Sequence, residues 1–68
     1  MVPLGPWRMH IFHIGQTVFL EQSIAAPGGA YVVTKRLPER YGEFEYRIKS
    51  ASEPHERVVR ESELSATP

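Results

Sequence analysis

Sixty-eight residues without a cysteine make one small domain at most, with no disulfide to supplement the core and no thiolate nucleophile or Cys-ligated zinc. Eight Lys and Arg offset eight acidic residues, all of them Glu, so the broad positive field that drives non-specific nucleic-acid binding is missing. No apolar run reaches the ~20 residues that span a bilayer, and the opening MVPLGPWRMHIF lacks the apolar core of a secretory signal; with no cysteine, this points to a cytoplasmic protein.

Residues 1–13 show neither the helical nor the strand period, and Pro3, Gly5 and Pro6 disfavour both structures. They read as a flexible N-terminal arm ahead of a domain at 14–65. Trp7 on that arm either packs back onto the domain or is presented to a partner, and Met9 offers a second start of translation. The first strand is expected from Thr17 to Ile24, where Val18, Leu20 and Ile24 share a parity and Gln22 interrupts it. Phe19 falls on the opposite face, which calls for a bulge or a cover over part of that face. Ala25-Ala26-Pro27-Gly28-Gly29 then stops the strand. Pro27 suits the second position of a type II turn, and Gly28 suits the positive φ of the third.

The second strand is expected at Ala30–Leu37, ended by Pro38, which has no N–H to give a ladder. A short hairpin loop, Pro38 to Gly42, leads to the clearest pattern in the chain, GEFEYRIKS at 42–50. Phe44, Tyr46 and Ile48 alternate there with Glu45, Arg47 and Lys49, as in a central strand with one wet face. The segment Glu53–Leu64 has two readings. Ser52 could cap a helix carrying Glu53–Arg57 and Glu56–Arg60 pairs at i,i+4. However, Val58, Val59 and Leu64 form no apolar stripe, which favours a strand at Arg57–Arg60 and a tight turn through Glu61, Ser62 and Glu63 that buries Leu64. Ser65–Pro68 reads as a frayed tail. Four to five short strands at this spacing predict a small antiparallel barrel whose closure removes its edges.

Gly15-Gln16-Thr17-Val18 resembles the G-x-x-V start of many SH3-like barrels. Gly29-Ala30-Tyr31-Val32-Val33 with Leu37-Pro38 is similar to their second strand, and Glu61-Ser62-Glu63-Leu64 to their closing turn. Over about residues 14–64 the chain resembles small uncharacterised bacterial proteins with a Y-R-I-K strand, here Tyr46 to Lys49, and an E-x-E-L ending. That resemblance implies an SH3-like barrel and leaves the activity open, since such barrels bind peptides, nucleic acids, methylated lysines and other subunits. The acidic, aromatic first loop of peptide-binding members is replaced by Ala25 to Gly29, and Tyr41 is the one aromatic placed in a loop, too few for a methyl-lysine cage.

Signals for chemistry are thin. His10 and His13 have a ligand-like spacing without a helix or a third ligand. Ser50 and Ser52 near His55 lack an Asp, and the carboxylate pairs Glu43/Glu45 and Glu61/Glu63 have no deep cleft. Pro27-Gly28-Gly29 lacks the Lys and the helix of a phosphate loop. The expectation is a non-enzymatic binding or adaptor module without cofactor or metal, monomeric or a weak homodimer. It would engage a protein partner through the barrel edge or the Tyr41 loop. The residues singled out are Arg36, Arg40, Tyr41, Arg47 and Lys49, joined by Lys35. On the second and third strands they could form a basic strip with one aromatic, which supports an alternative, weak single-stranded nucleic-acid binding. The plainer account is that Glu39, Glu43 and Glu45 pair with these cations across strands.

Overall fold

Alternation at 42–50 becomes the middle of the molecule. The computed structural model describes residues 10–22, 24 and 27–68. Its strands are β1 (Thr17–Leu20), β2 (Gly29–Arg40), β3 (Glu43–Lys49), β4 (Arg57–Arg60) and β5 (Leu64–Ser65), with a 3-10 turn at Glu61–Glu63. All pairings are antiparallel, in the order β4-β3-β2-β1-β5. The all-β class and the strand at Arg57–Arg60 agree with the sequence reading, and so do the turn and the buried Leu64. The expected closure is corrected: among the described residues the sheet is open, with β4 and β5 as its edges. β5 is two residues long and both pair with β1, so no strand is left to make a closing seam.

Tyr46 and Ile48 of β3 and Val18 of β1 are fully buried, and Val33 and Tyr31 of β2 are nearly so. Val59 and Leu64 complete this side, and Phe44 packs against it half-buried. The other half of the β3 pattern stays wet, with Arg47 exposed.

Four further features differ from the sequence reading. β1 stops at Leu20, and Ile24 is wholly exposed. Beyond Leu20 the chain turns back so closely that a Cβ on Gly28 would stand 2.8 Å from the Gln22 amide nitrogen. The positive φ falls on Gly29 (115°) instead of Gly28. Pro38 does not end β2, because the ladder shifts register between Leu37 and Glu39, and a residue left out of the ladder has no need of an N–H. Finally, Phe12 is in the core at 4 % exposure. The arm expected through residue 13 is therefore packed from His10 onward, while its first nine residues, Trp7 included, lie outside the described residues.

Candidate interaction surface

The hairpin joining β2 to β3 needs only Tyr41 and Gly42, with φ of 54° and 83°. Two positive φ values make the primed turn whose twist matches that of its flanking strands. Gly accepts that conformation freely, but Tyr pays about 1 kcal/mol for it through its Cβ. The Tyr41 side chain recovers nothing by burial, since it is 92 % exposed. Arg40 lies over its ring, 5.2 Å from guanidinium carbon to centroid, a cation–π contact that holds a planar, charged and apolar surface out at the tip.

Paired residues on neighbouring strands share a face, so the register decides which cations meet. A shift between Val33 and Lys35 skips Thr34, whose hydroxyl donates to the Arg47 carbonyl at 3.2 Å. It places Lys35 opposite Arg47, and Arg36 opposite Tyr46. Arg36 therefore belongs to the face of Tyr46, away from Arg47 and Lys49, which corrects the strip drawn from parity alone. The outer face carries Val32 beside Lys49, then Lys35, Arg47 and Val58 in a row, then Leu37, Glu45 and Arg60. Three of its cations are engaged, Arg60 with Glu63 at 3.5 Å among them. Arg47 reaches Glu56 at 4.0 Å, and Lys49 donates to the carbonyls of Ser50 (3.3 Å) and Glu53 (2.9 Å), pinning the connection to β4. Of the five site residues, Arg40 and Tyr41 touch at the tip, Arg47 and Lys49 share the outer face, and Arg36 stands apart from both pairs.

Glu53 anchors that connection. Arg57 grips its carboxylate bidentately at 2.9 and 2.6 Å, the Tyr31 hydroxyl, which donates to the Pro27 carbonyl at 2.7 Å, stands 3.4 Å from it, and His55 stands 3.9 Å away. The Arg57 hydrogen bonds hold Glu53 below the usual carboxylate range, whereas burial, then the Glu53 charge, pushes Tyr31 up. The i,i+4 pair weighed as a helix signal is thus made across a turn.

Sequence reasoning missed two features. At one, the Tyr46 hydroxyl donates to Glu61 and accepts from the amides of Ile11 (3.1 Å) and Phe12 (3.3 Å), while His10 stacks on Phe44 at 4.0 Å and bonds the Leu37 carbonyl at 2.6 Å. Burial, followed by the bond to Glu61, pushes the Tyr46 hydroxyl up to about 12. The available signal was Ile11-Phe12, an apolar pair in an aperiodic stretch. The other is a groove of about 490 Å³ floored by Phe19, Leu20 and Leu64, with Glu21 and Glu63 at its rim. The wrong-sided parity of Phe19 was its trace. Among the described residues no helix is long and apolar enough to cross a membrane. No protein-family profile, curated protein or solved structure matches this chain.

Proposed function

We propose that the protein is a non-enzymatic binding module of SH3-like architecture whose working contact with a protein partner is the Arg40–Tyr41 tip. The strand order and the 3-10 turn ahead of the last strand support the architectural part. The single observation that carries the functional part is Tyr41: a large aromatic ring, 92 % exposed, kept at a backbone position that disfavours it. Fold stability favours Asn or Gly there, so contact outside the chain is the reason for a Tyr. Tyr and Arg are, with Trp, the residues enriched where binding energy concentrates in protein interfaces.

Weak single-stranded nucleic-acid binding has less support, because register removes Arg36 from the strip and Glu56 and the loop carbonyls engage Arg47 and Lys49. Salt separates the two readings. Proteins captured by the immobilised domain should survive washing at about 0.5 M salt, where phosphate contacts lose orders of magnitude. Tyr41→Ser should release them. Capture that Tyr41→Ser leaves intact overturns the tip, and retardation of labelled single-stranded RNA at low salt would favour the alternative.

A further inference from the structure

β4 ends the sheet, and among the described residues no strand pairs with its outer side. We propose that this edge pairs antiparallel with the same edge of a second copy, about a two-fold axis at Val58. This goes beyond the Tyr41 reading and does not depend on it.

Geometry narrows the register to one. An edge strand turns the N–H and C=O of only alternate residues outward, so residues that exchange hydrogen bonds across a two-fold must share parity. The axis therefore passes through a residue, never between two. Axes at Arg57 or Arg60 set a guanidinium against its own copy. An axis at Val59 sets a buried side chain against itself and Arg57 against Glu61, although Arg57 is held by Glu53 and Glu61 by the Tyr46 hydroxyl. The axis at Val58 sets no guanidinium and no buried side chain against its own copy, although it places Arg57 opposite the partner's Val59. Val58, 55 % exposed on the outer face, meets the partner's Val58. Glu56 meets the partner's Arg60, and symmetry makes that pair twice. Both side chains are solvent-accessible, and their present ion pairs, Glu56 with Arg47 at 4.0 Å and Arg60 with Glu63 at 3.5 Å, are long enough to be shared, while Glu63, which accepts the Arg60 amide at 2.7 Å, gives that amide up to the ladder on pairing. The occupant is thus specified by charge as well as by shape: a segment with an apolar centre, Glu before it and Arg after it, which is residues 56–60 of the chain itself, β4 with the Glu56 that precedes it. β5, the other edge, is two residues long and too short for such a ladder.

An edge of about five residues covers much less than the ~1,200 Å² of a standard stable interface, so the dimer is transient and forms at roughly high-micromolar protein. Since the chain has no cysteine, one engineered thiol reports the axis directly. Under mild oxidation Val58→Cys should give a disulfide-linked dimer and Glu56→Cys should not, because only residue 58 faces its own copy. In sedimentation equilibrium, Glu56→Arg or Arg60→Glu alone should weaken dimerisation by about tenfold or more, through like charges set opposite one another. An equimolar mixture of the two should restore it, because each variant then complements the other. Tyr41→Ser should dimerise as the parent does, which keeps this result separate from that of the tip. The proposal is overturned if the mixture associates no better than either variant alone, or if Glu56→Cys cross-links as readily as Val58→Cys.

Discussion

Tyr46 fills every hydrogen-bonding position its hydroxyl has, one donated to Glu61 and two accepted from the Ile11 and Phe12 amides. Removing that oxygen with Tyr46→Phe leaves the buried Phe12 amide without this partner and should destabilise the domain by about 1–3 kcal/mol. Hydrogen exchange at Phe12 should quicken more than at Val18 in β1. Equal protection in parent and variant would show that residues 10–13 are held by something else. The same hydroxyl sets an alkaline limit. Its folded pKa is raised, so its contribution is complete below the unfolded value of 10.0 and is lost as pH climbs to about 12. Chemical denaturation between pH 9 and 12 should show the parent losing stability more steeply than Tyr46→Phe, and parallel curves would contradict the assignment.

The elements were legible in proportion to how locally they are determined. β3, β4 and the turn before Leu64 follow from alternation and from the lack of an apolar helical stripe, so they were readable from the residues alone. β2 was not, because its two register shifts depend on the partner strand: Thr34 and Pro38 leave the ladder only once β3 is in place. The first of those shifts moved Arg36 off the outer face and brought Lys35 onto it, opposite Arg47. Packing of Phe12 was equally illegible, since Tyr46, which its amide and ring both meet, is 34 residues away in sequence and no periodic pattern announces it. The connection between β3 and β4 has a prediction of its own. Arg57 holds the folded pKa of Glu53 down, so its contribution is present at neutral pH and is lost as pH falls through that lowered value. Glu53→Gln should flatten the loss of stability on acidification to pH 2. A slope as steep as the parent's would mean that other carboxylates dominate.

For the whole molecule, the buried side, closed over by Phe12, is a scaffold, and the two contacts proposed for it lie at opposite kinds of position: a strained tip and an open edge. Pairing at β4 would give each assembly two Tyr41 tips, so that binding to a bivalent or surface-bound partner is strengthened by proximity without new contacts. Immobilised partner should then retain the parent protein longer than it retains Glu56→Arg, although the tip is unchanged. The central claim is that Tyr41 is kept for contact at the expense of stability. The direct measurement is a paired one on Tyr41→Asn, which converts the turn to the favoured Asn-Gly. Thermal unfolding should rise, with stability higher by up to about 1 kcal/mol, while capture of protein partners at high salt is lost. A variant that unfolds at a lower temperature, or that captures the same partners as the parent, would contradict the account.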